Sequence, residues 1–379
     1  MHDFLIKEMF NTNIEDELCE IGFDKTYTGI AKDKFEYKNF KIFDLSPAQA
    51  NIIKQTAISV GADCGTHREV ITGKIEKSSC ILGGSISQLL KIGDKLNNQP
   101  FGLKNLGERI TELATKENKR TKTQLVGILN VTPDSFSDGG EYYEPQKAIN
   151  RITELINDGA NIIDIGAETT KPYSTPTSDE EQIRRLSPVL KYISDNVIIP
   201  VSIDTRSAVV AQFAIDNGAK IINDVSGLEF DSKMADVISN NNVKVIIQHS
   251  KGNPENMQDH PTYENVIDEI FLSLKNKIDY AISKGILKEN IIIDPGIGFG
   301  KTQEDNFKII RRWKEFRSLG YPILIGLSRK SLLGMQDAEN IEKDIYSLAL
   351  NSILINEGVD YIRVHNVKMH KRFMDILPE

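Results

Sequence analysis

From about residue 124 to the C-terminus, short runs rich in Val, Ile and Leu alternate eight times with longer amphipathic stretches, and this alternation constrains the fold more than any other feature. Unbroken apolar runs of that length suit strands of a parallel sheet covered on both faces. The strand candidates are Leu125–Asn130, Ile162–Gly166, Pro200–Asp204, Lys220–Asp224, Val243–Gln248, Ile291–Asp294, Pro322–Gly326 and Tyr361–Val364. Helical patterns lie between them, for example Glu180–Ile193 behind Ser178, which with Glu181 makes a capping box, and Asn265–Ser283 ending at Gly285. Eight βα units over roughly 255 residues match a closed (β/α)8 barrel, the TIM-barrel architecture, in both count and length.

The charged stretch Lys116 to Thr123 lacks apolar periodicity and marks a boundary, giving a small α/β domain over 1–120 and the barrel over 121–379. Upstream of it, Phe40–Leu45 reads as a strand. Ser46-Pro47-Ala48-Gln49 reads as a helix start with a capping-box glutamine, and that helix is expected to stop at Gly61. A second strand around Ser79–Leu82 leads through Gly83-Gly84-Ser85 into helices reaching Leu96 and Leu113. Glycines before a helix can bind phosphate, but a turn needing positive φ is the commoner reason for them. No catalytic constellation stands out in this domain, and its role is left open.

Composition sets outer limits. Hydrophobic residues at 40% and charged residues at 26% are ordinary for a globular chain, and no apolar run approaches the ~20 residues of a membrane span. Met1 to Phe10 lacks the basic start and apolar middle of a signal peptide, so a cytoplasmic location is expected. Cys19, Cys64 and Cys80 form no CxxC pair and read as free thiols; Cys64, His67 and Cys80 lack an evident fourth ligand for a metal. The first 120 residues balance 17 basic against 17 acidic groups, so the net charge of -8 belongs to the remainder, which disfavours general nucleic-acid binding.

The functional signal lies where the apolar runs end. They stop at Asn130, Asp204, Asn223 and Asp294, and the last two runs lead on to Lys330 and to Arg363 with His365. In a barrel the carboxyl ends of the strands converge on one face, so these scattered groups can reach a single ligand. A lone Asp or Asn after a strand is most often a helix cap, a reading that weakens as such endings accumulate. Asp204 and Asp294 are acceptors for a purine-like or pterin-like edge, and Asn223 offers a donor and an acceptor. Lys330, Arg363 and His365 supply positive charge for an anionic leaving group. Asn130 opens a polar loop, Val131-Thr132-Pro133-Asp134-Ser135-Phe136-Ser137-Asp138-Gly139-Gly140, that is suited to holding a ligand.

These motifs, together with Asp294-Pro295-Gly296-Ile297-Gly298-Phe299-Gly300-Lys301, Ser328-Arg329-Lys330-Ser331, Ile222-Asn223-Asp224 and Arg363-Val364-His365, resemble the dihydropteroate synthase family over about residues 124–379. The resemblance implies transfer of a dihydropterin-methyl group from its diphosphate to the amine of 4-aminobenzoate, with Mg2+ accompanying the diphosphate. Carried over by position, the pterin pocket is Asp204, Asn223, Asp294 and Lys330, with Arg363 packed on the ring. Asn130, which also serves the metal, joins His365, Arg363 and Lys171 around the pyrophosphate. Phe136, Asp138, Thr170, Pro172, Phe299 and Ser331 surround the aminobenzoate, with Asp138, Asp204 and Lys330 as the catalytic set. A homodimer is the family expectation, with small-molecule substrates and neither nucleic acid nor membrane as partners.

Three departures stand out. Gly166-Ala167-Glu168-Thr169-Thr170-Lys171-Pro172 carries a lysine where the family usually has arginine; Asn366 follows His365 where aspartate is usual; and Gln248-His249-Ser250-Lys251-Gly252 departs from Met-His-Met-x-Gly. Weaker diphosphate binding with unchanged chemistry is the expectation. Competing readings are a pterin-dependent methyltransferase, which has no use for the Asn130 loop, a Schiff-base aldolase using Lys330, and a pterin-binding scaffold without turnover.

Overall fold

In a computed structural model, residues 5–9, 13–116, 122–132, 145–168, 176–252, 261–330 and 338–377 are described. The chain divides into two compact units, Met1–Asn118 and Lys119–Glu379.

The first unit holds a three-stranded antiparallel sheet in the order β1 (Tyr37–Leu45), β3 (Ser78–Ser85), β2 (Asp63–Thr66). Helices α3 (Pro47–Ile58), α4 (Ile86–Leu96) and α5 (Leu103–Thr115) accompany the sheet. Ile53, Leu82, Leu89, Ile92, Leu96, Leu103 and Ile110 form the core. Short helices α1 (Ile14–Glu20) and α2 (Thr28–Lys32) precede it. Both α3 and α4 begin with complete capping boxes, Ser46 with Gln49 and Ser85 with Gln88. The α4 box settles the Gly83-Gly84-Ser85 segment. The amide of Gln88 is already taken by Ser85, and neither glycine has positive φ. Gly83 lies within β3 instead, where a Cβ would come 2.6 Å from both the Asn39 and Tyr37 side-chain oxygens. The β2 strand was not legible in the sequence, because Asp63-Cys64-Gly65-Thr66 has no apolar run. Cys64 and Cys80 are buried free thiols in this core.

The second unit is an eight-stranded parallel barrel. In chain order its strands are β4 (Gln124–Asn130), β5 (Ile162–Gly166), β6 (Val201–Asp204), β7 (Ile221–Asp224), β8 (Lys244–Gln248), β9 (Ile291–Asp294), β10 (Leu324–Ile325) and β11 (Tyr361–Val364). Neighbours follow in sequence from β4 to β9, with β11 joining β4 to β10, and an Ile293–Ile323 bridge closes the ring. Side chains alternate along each strand. One set, Val126, Ile162, Ile221, Ile246, Ile292, Leu324 and Tyr361, fills the interior as a separate cluster. The other set, including Leu125, Ile163, Ile203, Ile222, Ile293 and Ile362, packs outward with helix residues such as Leu155, Leu186, Ile270 and Ile309. The interleaving helices are α6 (Pro145–Asn157), α7 (Asp179–Asn196), α8 (Ala208–Asp216), α9 (Met234–Asn241), α10 (Val266–Ser283), α11 (Gln303–Arg312), α12 (Asn340–Asn356) and α13 (Val367–Asp375). Helix α7 has only half of the expected box: Ser178 accepts from the Glu181 amide, while the Glu181 carboxylate binds Arg184 and Arg185 instead.

Candidate active site

Strand register brings the polar endings together. Asn130 is paired with Gly166, Gly166 with Asp204, Asp204 with Asn223, and Gln248 with Asp294. Inward alternation then stacks polar residues above the apolar floor: Asp164 two residues beyond Ile162, Asn223 beyond Ile221, Asp294 beyond Ile292 and Arg363 beyond Tyr361. Asn223 and Asp294 are buried, whereas Asn130, Asp204, Phe299, Lys330, Arg363 and His365 keep partial exposure.

Arg363 is the hub. Its Nε donates to Asp164 Oδ2 at 2.5 Å and its Nη2 to Asp204 Oδ2 at 2.8 Å, while Asn223 Nδ2 also donates to Asp164 Oδ2 at 3.2 Å. Burial opposes its charge, but Asp164 and Asp204 outweigh that and raise its pKa. Burial pushes Asp204 up to about 7. The carboxylates of Asp164, Glu168 and Asp224 add to this, and Arg363 opposes it. Burial also raises Asp294, against the pull of Lys330 and the Gly296 amide, which donates to Asp294 Oδ1 at 2.7 Å. Lys330 is pushed by burial down to about 8, with Asp294 opposing. Its ammonium donates to the Ile297 carbonyl and lies 4.6 Å from the centre of the Phe299 ring. An acid and an amine displaced toward neutrality thus stand at one end of the barrel.

Around this centre the loops are pinned by further groups. Ser328 Oγ lies 3.0 Å from His365 Nδ1, and the His365 amide donates to the same hydroxyl at 3.2 Å. Burial, helped by Arg329 and Arg363, holds the His365 imidazole down to about 3, so the ring is neutral. Arg329, with φ +57°, donates from Nε and Nη2 to the two Asp344 oxygens at 2.6 and 2.8 Å, and Asn366 Nδ2 reaches Asp344 Oδ2 at 3.1 Å. Lys301, buried, meets His249 Nδ1 at 3.0 Å and the Phe299 carbonyl at 2.9 Å. Gly296 (φ +71°) passes so close to His249 that a Cβ would fall 1.9 Å from its carbonyl oxygen.

Residues 126–365 match the family described as pterin binding enzyme. A dihydropteroate synthase of Clostridium beijerinckii is 40% identical over 264 residues, covering 69% of this chain and 96% of that protein. The chain belongs to the dihydropteroate synthase family. A crystal structure of the family member from Clostridium difficile, in the presence of pteroic acid, superposes with a TM-score of 0.63 at 39% identity, over 69% of this chain and 98% of that one. The member from Anaplasma phagocytophilum, with bound 6-hydroxymethylpterin-monophosphate, gives 0.61 at 36% identity, over 68% and 98%. A probable bifunctional folylpolyglutamate synthase/dihydropteroate synthase of Haloferax volcanii is 33% identical over 84% of this chain. The barrel unit alone cannot supply that share, so the match extends into the first unit; the chain spans 40% of that relative's length.

Against the family pattern, Asn130, Asp204, Asn223, Asp294, Phe299, Lys330, Arg363 and His365 all fall at the strands' carboxyl ends or in the loops that follow them. Phe136, Asp138, Thr170, Lys171, Pro172 and Ser331 lie outside the described residues. Arg363 is held at its edge by two carboxylates, Asp164 and Asp204. The Asn366 departure has a local account: its Oδ1 caps α13 by accepting from the Met369 amide, and its NH2 group serves Asp344, where an aspartate would set two carboxylates face to face. Gln248 and His249 are buried, and burial with Lys301 pushes His249 down to about 2. Reading strand ends missed Asp164, which sits mid-strand; the signal was a charged residue inside the apolar run Ile162-Ile163-Asp164-Ile165.

Proposed function

We propose that this chain condenses (7,8-dihydropterin-6-yl)methyl diphosphate with 4-aminobenzoate, giving 7,8-dihydropteroate and pyrophosphate in folate biosynthesis. The observation that carries the reading is the convergence of Asp204, Asn223, Asp294 and Lys330, from three strands and a loop, beside Arg363. A flat ring with N–H donors is the guest that satisfies buried carboxylates. Departure of the diphosphate leaves positive charge on the pterin methylene, which Asp204 and Asp294 stabilise, while Arg363 and His365 receive the anion. His365 Nδ1 is engaged by Ser328 Oγ at 3.0 Å, so Nε2 is the ring nitrogen left for the anion's site. The amine of 4-aminobenzoate is a weak nucleophile, so the activated carbon carries the reaction and no side chain forms a covalent intermediate. Phe299, beneath the Lys330 ammonium, is assigned to the aminobenzoate, and the family resemblance assigns Phe136, Asp138, Thr170, Pro172 and Ser331 to the same substrate and Lys171 to the pyrophosphate.

Magnesium fits the donor chemistry. The ion prefers oxygen ligands and takes most of them from phosphates and water, so one protein oxygen suffices. Asn130 Oδ1 stands at the end of β4 beside Gly166, where a Cβ would come within 3.4 Å of it, and no cluster of three His, Cys, Asp or Glu occurs among the described residues. Asn130 would hold the ion, whose charge would neutralise the departing diphosphate.

A homodimer through α12 accompanies this reading: Ile341, Ile345, Ala349 and Ile353 form an exposed stripe at i, i+4 spacing. Sedimentation as a 42.5 kDa species would overturn it. Cytoplasmic action is part of the proposal, and no described helix is long and apolar enough to cross a membrane. The decisive assay is pyrophosphate release with both substrates. Release that requires 4-aminobenzoate supports the enzyme; pterin binding without release would leave a scaffold, and a pterin adduct on Lys330 in a quenched reaction would overturn the direct attack by the amine.

A further inference from the structure

Three buried polar atoms at inward-facing strand positions have no hydrogen-bond partner among the described residues: Asp164 Oδ1, Ser202 Oγ and Asn223 Oδ1. They sit on adjacent strands β5, β6 and β7, and Asp164 is paired in register with Ser202. Asp164 is fully buried, yet one of its oxygens takes two donors, Arg363 Nε and Asn223 Nδ2, while the other takes none. Burying an acceptor without a donor costs about 1–3 kcal/mol, so the donors that each group does have decide which way it faces.

We infer that Asp164 is a positioning residue that fixes which way the Asn223 amide and the Arg363 guanidinium face, and thereby sets the site's preference for a ring bearing N–H donors. The inference rests on the pterin reading above. A buried amide has two orientations of nearly equal shape, and only its partners choose between them. The Asp164 Oδ2 that accepts from Arg363 Nε also accepts from the Asn223 NH2, which turns the Asn223 Oδ1 away, without a donor among the described residues. The Asn223 Oδ1, buried and left without a donor, is the acceptor that a ring N–H would complete. The same carboxylate seizes Arg363 at Nε, so the guanidinium can give Nη2 to Asp204 only in one plane. Two walls of the pocket are therefore oriented from beneath by one side chain that does not itself touch the guest. An asparagine at position 164 would remove both constraints, because an amide offers either a donor or an acceptor to Asn223 and no counter-charge to Arg363.

The test compares binding of 7,8-dihydropterin with analogues in which one ring N–H at a time is replaced by CH2, measured by calorimetry on the full chain and on Asp164→Asn. The parent protein is expected to favour the intact ring over at least one analogue by about tenfold, and the variant to lose that preference to within about threefold, with KM for 4-aminobenzoate unchanged. A role confined to stability would lower Tm and leave the preference intact. Should Asp164→Asn fail to fold, Asn223→Asp serves instead. The carboxyl group that this change introduces, when protonated, donates its hydroxyl to Asp164 and keeps its other oxygen as an acceptor, so the variant's affinity for dihydropterin relative to the parent's, in which Asp204 titrates at about 7 and Asp294 is raised as well, falls as pH rises. A variant-to-parent ratio that rises with pH would overturn the inference, as would a tenfold preference retained in Asp164→Asn. Failure of the parent protein to bind any pterin would instead overturn the proposed function.

Discussion

The two units bury polar groups in opposite ways. In the first, the buried polar side chains among the described residues are hydroxyls, Thr28, Thr56, Ser78 and Ser85, and each bonds within four positions of itself. In the barrel they include Asp164, Asn223, Gln248, His249, Asp294, Lys301 and Asp344, and the Arg363–Asp164 pair joins residues 199 positions apart. Local satisfaction serves folding, since the bond forms with the turn or helix that needs it. Long-range satisfaction at strand ends commits desolvated charge to a place where a guest can complete it.

The largest expected effect that sharpens this contrast is on Asp294. Asp294→Ala leaves Lys330 without its carboxylate and the guest without an acceptor, so kcat/KM measured by pyrophosphate release should fall about 10^3-fold. A fall below tenfold would break the assignment. Glycines make the next comparison. Gly296→Ala forces a Cβ into the His249 carbonyl at positive φ and should cost about 3 kcal/mol or more in urea unfolding. Gly83→Ala meets only the ends of the Asn39 and Tyr37 side chains, which can move, and should cost about 1 kcal/mol without touching turnover.

Asp344 gives a smaller, pH-dependent effect. Burial raises its pKa, but hydrogen bonds from Arg329 and Asn366 win and leave it below 3.8. A depressed carboxylate contributes stability that is present above the unfolded pKa and lost as pH falls through the folded one. Asp344→Asn should therefore lower stability by about 2 kcal/mol at pH 7, less than a fully buried pair because Arg329 is 27% exposed, and the gap between variant and parent should close below pH ~4. The smallest effect concerns the first unit. Removing residues 1–121 should leave turnover within about threefold, since the Clostridium beijerinckii relative is 96% covered by a match of 264 residues. A collapse of turnover would give that unit a part in the chemistry.

The barrel strands were legible because unbroken β-branched runs leave little choice of element, and the observed limits differ mainly at their starts. Pro200 and Pro322 lack the amide a ladder needs, so the strands there begin later, and Pro322–Gly326 shrinks to Leu324–Ile325. Asp204, Asn223 and Asp294 could be found because each ends a run. Asp164 and Asp344 could not, because their meaning lies in partners 199 and 15 residues away: one is hidden inside a strand, the other on the inner face of α12. The first unit was half legible. Helix caps advertise themselves, whereas β2, with Gly65 and polar neighbours, takes its shape from pairing with β3.

Closure of the cylinder hangs on few rungs. β10 is two residues long, and its approach to β9 is the single Ile293–Ile323 bridge, with the Ile293 amide donating to the Pro322 carbonyl. A seam so thin is where deuterium should enter first, and Asp294 and Lys330 stand on its two banks. Any guest that spans both residues becomes a rivet, so slowed exchange at Leu324 and Ile325 would report occupancy from the wall of the barrel.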